Sequence, residues 1–356
     1  MGKIEGVRQQ LTDLNIDSLF VSTEENIRYL TNFTGSSGAV LISKSDAIFF
    51  TDFRYAKQSE EQVSEYEIEV CGASHSVLDT VIQKVNDLGI QKLGFESSYL
   101  TYEVYHQLKQ SLEAELFPTV KIIEALREVK SDREIELLRT AAQISDHAFD
   151  QILDYIRPGV TEKDVANELE YLMRKEGATS SSSPTMIVAS GVRSALPHGA
   201  ASDKVIEQGD MVTLDYGALY EGYRSDMTRT ISIGEPSDKF KEIYNIVLEA
   251  LLHCKKHIKA NISAKEVDAL VRNHITEQGY GEYFGHGSGH GIGLMIHEDP
   301  FFSTTSNQIL KEGSVVTIEP GIYLPDFGGV RIEDDVVVKS EGIEVITKSP
   351  KELIIL

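Results

Sequence analysis

Cysteine is almost absent from this chain. Cys71 and Cys254 are the only two in 356 residues, and they lie far apart. That excludes a disulfide framework and points to a reducing compartment, so a cytoplasmic protein is expected. Long hydrophobic runs are absent too, which excludes a membrane-spanning helix. The segment Met1 to Arg8 lacks the apolar stretch of a secretory signal, and Gly2 is followed by Glu5-Gly6 without the Ser or Thr of a myristoylation motif. Positive charge is scarce, with 34 Lys and Arg against 56 Asp and Glu and a net charge of −22. Nucleic acid needs a basic footprint and anionic lipid repels such a chain, so neither partner is expected. Most of the surplus acid is read as a contribution to solubility. The Ser run 180–183 is not part of a nucleophile elbow, and no phosphate loop ending in Lys-Ser/Thr is present. The length favours two domains.

What the chain does have is one nine-residue phrase written twice. Residues 209–217 read G-D-M-V-T-L-D-Y-G, and residues 313–321 read G-S-V-V-T-I-E-P-G. A second echo follows each copy: Arg224-Ser225-Asp226, then Arg331-Ile332-Glu333. Each copy therefore carries two carboxylates, Asp215 with Asp226 and Glu319 with Glu333. Alternation puts Thr213 and Asp215 on one strand face, and Thr317 and Glu319 on one face of the other strand, opposite the apolar residues. The glycines after Asp215 and Glu319 are expected to let the chain bend away. Acids recurring at matching places suggest two half-sites facing each other across an internal two-fold. Four converging carboxylates repel unless positive charge sits between them, and two divalent cations cancel them.

An oxygen-rich set favours hard cations such as Mn²⁺ or Mg²⁺, and one imidazole shifts the preference toward transition metals. His290 is the candidate imidazole, in Gly285-His286-Gly287-Ser288-Gly289-His290-Gly291-Ile292-Gly293. Glycine at every other position argues against a helix there, and no Glu follows the first His, so a zincin reading fails. His198, His286 and His297 are flanked by Gly or Pro and become candidates for proton transfer and substrate contact once a metal site is granted. His253 and His257 stand four apart on an expected helix and could pair on a metal. Lys255 and Lys256 lie between them, so the pair is read as a solvated face. His75, His106, His147 and His274 have no constellation, and Cys254 is expected to be inert.

The first part of the chain reads as an α/β unit. Strands are expected at Ile16 to Val21, Ala39 to Ser43, Ala47 to Thr51 and Lys92 to Glu96, and helices at Val77 to Leu88 and 100–112. A new register begins at the capping box Ser131-Asp132-Arg133-Glu134. Further helices are expected from Thr161 to Gly177, from Ser237, and from Ser263 to Gly279. The domains are placed at 1–127 and 128–356. The second reads as hairpin, two helices, hairpin.

At these residues the chain resembles the pita-bread metallopeptidase family, which includes methionine aminopeptidase, aminopeptidase P, prolidase and creatinase. The family's ligand order is Asp, Asp, His, Glu, Glu, and Asp215, Asp226, His290, Glu319 and Glu333 fall in that order. Ser225-Asp226-Met227-Thr228-Arg229-Thr230, Glu319-Pro320-Gly321-Ile322-Tyr323 and Gly329-Val330-Arg331-Ile332-Glu333-Asp334-Asp335 resemble the Xaa-Pro branch. The one departure is Ser183, where an aromatic is expected on a pocket wall.

The resemblance implies an α/β (α+β) chain: a C-terminal pita-bread fold with an internal pseudo-two-fold, preceded by a smaller creatinase/prolidase-type N-terminal domain. It implies a metal-dependent exopeptidase cutting Xaa-Pro bonds, leaning to Xaa-Pro dipeptidase. Two divalent ions are implied, Mn²⁺ first, with Co²⁺ or Zn²⁺ as alternatives. Asp215 would chelate one ion, Asp226 and Glu333 would bridge both, and His290 and Glu319 would bind the other. A water shared by the two ions would ionise near neutral pH. Glu319 would take its proton, while His297 and His198 would contact the scissile carbonyl. His286 and Arg331 would support the site, Arg331 from the same strand face as Glu333. Proline-containing peptides and a second copy of the chain are the implied partners. The rivals are an aminopeptidase P acting on longer peptides, a creatinase-like hydrolase, and a non-catalytic scaffold on the same fold.

Overall fold

The structure is a computed structural model that describes residues 2–72 and 74–356. The chain divides into two compact units, Met1–Arg127 and Glu128–Leu356. No helix among the described residues is long and apolar enough to cross a membrane.

In the first unit the strands are β1 (Ser18–Val21), β2 (Gly38–Ser43), β3 (Ala47–Asp52), β4 (Glu67–Cys71), β5 (Lys92–Glu96) and β6 (Glu115–Thr119). They form one sheet in the order β4-β3-β2-β1-β5-β6. The helices are α1 (Lys3–Asp13), α2 (Glu24–Thr31), α3 (Ala56–Gln62), α4 (Val77–Asp87), α5 (Tyr102–Ser111) and α6 (Ile122–Arg127). Apolar residues of the middle strands, among them Phe20, Leu41 and Phe50, pack with Val81 and Val85 of α4 and Leu108 of α5 in one core cluster. Glu96 is buried at the end of β5, where burial raises its pKa. It accepts from Ser22 N–H, Thr23 N–H, Thr23 Oγ1 and Asn26 Nδ2 at 2.6–3.0 Å, so the carboxyl is satisfied.

The second unit says the same thing twice. First come helices α7 (Asp132–Ile152) and α8 (Glu162–Lys175), each started by a complete capping box, at Ser131 and Thr161. The strands β7 (Ser180–Ser181), β8 (Ile187–Ser190), β9 (Met211–Tyr216), β10 (Ala218–Tyr220), β11 (Tyr223–Arg224) and β12 (Met227–Ser232) follow. Then come α9 (Asp238–His257), capped by Ser237, and α10 (Ala264–Glu277), with a capping box at Ser263. The last strands are β13 (Gly289–Gly291), β14 (Glu298–Phe302), β15 (Val315–Ile318), β16 (Gly321–Leu324), β17 (Gly328–Arg331), β18 (Asp334–Val338) and β19 (Ile343–Val345).

The sheets run β12-β9-β8 and β14-β13-β15-β18-β19. Each contains the same antiparallel triplet, β8-β9-β12 in one and β13-β15-β18 in the other, and each follows a helix pair. A small hairpin, β10-β11 or β16-β17, fills the gap between the second and third strands of each triplet. The repeat is thus longer than the hairpin expected from sequence, and each hairpin has its own two helices. Register fixes the facing residues: Asp215 opposes Thr228, and Thr317 opposes Asp335. Both triplets are greasy on their outer face. Val212 and Leu214 sit in one cluster with the α7–α8 side chains, Val316 and Ile318 in another with the α9–α10 side chains.

The glycines of the repeated phrase have a different reason from the expected bend. Neither Gly217 nor Gly321 has positive φ. A Cβ on Gly217 would lie 1.7 Å from the Ser225 carbonyl oxygen, and one on Gly321 would lie 2.5 Å from the Tyr323 hydroxyl. Glycine is needed for close approach, which pulls the segments carrying Asp215 and Asp226 together.

Candidate metal centre and its cavity

Every carboxylate singled out by the repeat is delivered to one cavity of about 630 Å³. Asp215 lies near the end of β9 and Asp226 just before β12. His290 is the middle residue of β13, Glu319 follows β15, and Glu333 occupies the two-residue break between β17 and β18. All five line the cavity, as do His198, His286, His297 and Arg331. Asp226, His290 and Glu333 offer ligand atoms that lie within 4.8 Å of one another. His290 Nε2 is 3.8 Å from Asp226 Oδ2 and 3.5 Å from Glu319 Oε1.

The imidazole of His290 is aimed by its other nitrogen. Nδ1 lies 3.0 Å from the Gly291 carbonyl, which can only accept, so the proton sits on Nδ1 and the Nε2 lone pair faces the acids. Burial, then the nearby His297, lowers its pKa to about 4, so the ring is neutral and fit to ligate.

The acids are undercompensated. Burial first, then Glu333 and Asp215, raises the pKa of Asp226 well above the usual range. Glu319 is raised by burial and by Glu333, and Glu333 is raised to about 7 by burial and Asp215. Asp335, whose Oδ2 accepts from the Asp226 N–H at 2.8 Å, is raised by burial as well, and its buried Oδ1 has no partner among the described residues. One cation enters the cluster: Arg331 Nη2 donates to Asp215 Oδ2 at 2.5 Å. The remaining charge and the donor set of four carboxylates and one imidazole fit a pair of divalent ions.

Arg331 departs from expectation. Its strand ends at Arg331 itself, Glu333 lies outside any strand, and the guanidinium reaches across to Asp215 of the other repeat. It also donates through Nε to Thr228 Oγ1 at 3.1 Å and through Nη1 to the Tyr323 hydroxyl at 2.8 Å. Thr228 in turn donates to Glu333 Oε2 at 2.6 Å. His286 Nδ1 donates to the Gly287 carbonyl at 2.7 Å, so its Nε2, at 2.8 Å, accepts from the Tyr323 hydroxyl. That ring is neutral too, its pKa lowered to about 4 by burial and then by Arg331. Tyr323 thus ties Arg331, and through it Asp215, to His286, whose Nδ1 is 3.8 Å from Glu319 Oε2.

Thr228 and Tyr323 were not singled out from the sequence. Thr228 had a signal: it stands two residues after Asp226, the spacing of one strand face, although Asp226 itself lies just before β12. Tyr323 had none beyond its place in a family-like phrase.

His297 and His198 stand exposed at the cavity mouth. The His297 ring meets that of His290 edge-on, centroids 4.5 Å apart. Burial, then His198, lowers the pKa of His297. Ser181, Ser182, Ser183 and Thr185 form a polar wall, with Ile296 and Phe301 also lining the cavity. His253, His257 and His274 lie elsewhere, along a separate cavity.

Comparison with known proteins follows the same division of the chain. Residues 136–340 match metallopeptidase family M24, and residues 3–129 match the creatinase/prolidase N-terminal domain. The structure of an Xaa-Pro dipeptidase from Bacillus anthracis is 58% identical, with a TM-score of 0.97 over 99% of each chain. The Xaa-Pro dipeptidase of Pyrococcus horikoshii is 40% identical over 353 residues, which is 99% of this chain and 98% of that one. The structure of an X-Pro aminopeptidase from Thermotoga maritima is 40% identical, with a TM-score of 0.91 over 98% of this chain and 100% of that one.

Proposed function

The chain belongs to metallopeptidase family M24, and on that premise we propose that it is a two-metal exopeptidase that splits Xaa-Pro dipeptides. One observation carries this reading: Asp215, Asp226, His290, Glu319 and Glu333 line a single cavity, with their acids undercompensated. Asp215 would hold one ion, Asp226 and Glu333 would bridge, and His290 with Glu319 would hold the other. Mn²⁺ suits four carboxylates and one imidazole, and Co²⁺ or Zn²⁺ are the alternatives. When bound, such ions polarise a carbonyl and activate a water for attack.

The chain's own groups supply the rest. Glu319, which lines the cavity beside His290, accepts the proton of the attacking water and delivers it to the leaving prolyl nitrogen. That nitrogen carries no N–H in the peptide and must gain a proton to leave. His297 and His198 stand at the mouth, where an imidazole N–H donates to the developing oxyanion. Tyr323 and Arg331 hold Asp215 and His286 in place by the bonds given above. A preference for dipeptides is supported by the higher identity to the Bacillus anthracis dipeptidase than to the Thermotoga maritima aminopeptidase. We place the protein in the cytoplasm as a homodimer, with residues 1–127 as the N-terminal domain and 128–356 as the catalytic one. It has neither nucleic acid nor membrane as a partner, in keeping with its net charge of −22.

The test compares substrates after dialysis against chelator and return of Mn²⁺. Gly-Pro should be cleaved fastest. Faster release of Arg from Arg-Pro-Pro would make it an aminopeptidase P, and turnover of creatine alone a creatinase-like hydrolase. No turnover of any substrate with metal bound would leave a scaffold.

A further inference from the structure

Seven of the ten histidines fall in two groups. Four line the cavity described above, His198, His286, His290 and His297, and three others meet on the outside of the second helix pair. His253 and His257 are four apart on α9, so they project from one face, and their ring centroids lie 4.4 Å apart. His274 on α10 stacks on His253, with centroids 5.9 Å apart and planes at 21°. Glu249, one turn before His253, places Oε2 3.6 Å from His274 Nε2. A cavity of about 540 Å³ runs beside the three rings, edged by Glu266 and Glu277.

Lysines standing between His253 and His257 would make the pair an ordinary solvated face. Lys255 does not share that face. It turns inward and pairs with Asp334 Oδ2 at 2.6 Å. That leaves Lys256 against Glu249, Glu266 and Glu277, so the surroundings of the rings are net acidic. His253 is pushed to a lower pKa by burial and by the two neighbouring rings, which favours the neutral, ligating form at pH 7. Three grouped imidazoles, one pair stacked and one tilted, gain little as core packing, since two of them are exposed.

We propose that His253, His257 and His274, with Glu249 beside them, form a second, exterior site for one late first-row divalent ion, Ni²⁺ or Zn²⁺, that links α9 to α10. Two imidazoles at i and i+4 on a helix face are a metal-binding spacing. Imidazole nitrogen suits these ions, whereas the oxygen-rich catalytic set suits harder ones. Closing on the ion needs rotation of the exposed rings: His257 Nδ1 is engaged by the His253 carbonyl at 2.8 Å, which leaves its Nε2 to ligate. A bound ion would cross-link the two helices and add to stability by mass action.

The proposal does not depend on the peptidase reading. Its test uses the full-length, untagged, Mn²⁺-loaded protein on an immobilised-Ni²⁺ column, which reaches every solvent-exposed histidine, so the variants locate the one responsible. The wild type should be retained. His253→Ala and His257→Ala should each lose retention, His274→Ala should weaken it, and His106→Ala, a lone exposed histidine, should change nothing. Added Ni²⁺ should raise the melting temperature of the wild type but not of His257→Ala, and turnover of Gly-Pro should be the same in all of them. Passage of the wild type through the column, or retention unchanged in both α9 variants, overturns the site. Retention unchanged in His274→Ala overturns the link between the helices.

Discussion

At the scale of single residues, the acids and the groups that hold them should separate by what they take away. Asp226→Ala and Glu333→Ala remove acids assigned to both ions, so metal and activity should disappear together. His297→Ala stands at the mouth, so metal should stay while turnover falls by about 10²–10⁴-fold. Tyr323→Phe deletes one hydroxyl that donates to His286 and accepts from Arg331. It should keep both ions and lose about 10–100-fold in turnover. Elemental analysis beside proline-release rates on the same preparations checks all four. Metal loss in His297→Ala would mean that the ligand shell has been drawn in the wrong place.

The four acids that line the cavity were legible because the chain writes them twice, in matching phrases. The positioning residues were less so. Thr228 and Tyr323 act through bonds to residues about 105 and 37 positions away. Such bonds depend on which strands become neighbours, and local pattern does not encode that. Arg331 was legible as a support for a carboxylate, but the strand stops two residues sooner than the alternation implied, and the acid it holds is Asp215 of the other repeat.

At the scale of elements, two glycines of the same phrase should respond differently to a methyl group. Gly209 has φ +90 and open space around its Cβ position, whereas at Gly217 that position lies 1.7 Å from the Ser225 carbonyl oxygen. Gly209→Ala should cost about 1 kcal/mol, the backbone term alone. Gly217→Ala should cost about 3 kcal/mol, the upper end for overpacking, since backbone must move. Denaturant midpoints measure both, and equal costs would remove the close-approach argument.

The helices with capping boxes, α4, α7, α8 and α10, carry strong local signals, and the last three were read from their starts. Strands β4 and β6 were not read. They are the two edges of their sheet, and each buries only its last residue, so neither shows an apolar run. Helix α3 buries only Ser59 and shows no greasy stripe either.

At the scale of the whole molecule, the cluster of raised carboxyls makes stability depend on pH and metal together. In the metal-free protein Glu333 holds a proton up to about pH 7, and Asp226 and Glu319 hold theirs above the usual range. The unfolded chain releases those protons near pH 4. The native state therefore binds more protons, and its stability falls as pH rises through 7. His286 and His290, lowered to about 4, act in the opposite sense. Their contribution grows as pH rises from about 4 and is complete above their unfolded value of about 6.5, so from there upward the carboxyls set the slope. The metal-free protein should lose stability between about pH 6.5 and 8.5, and saturating Mn²⁺ should abolish that loss. Urea midpoints across this range, with and without metal, measure it. A metal-free protein that gains stability there would contradict the assigned charge balance.

The proposed Xaa-Pro peptidase activity depends on two ions held by the duplicated acids. Its most direct measurement is a titration of chelator-stripped protein with Mn²⁺, following proline release from Gly-Pro at each addition. No turnover is expected at zero metal, and the rate should reach its plateau as the second ion binds. Full turnover by the stripped protein, or no proline released at any loading, would contradict that proposal.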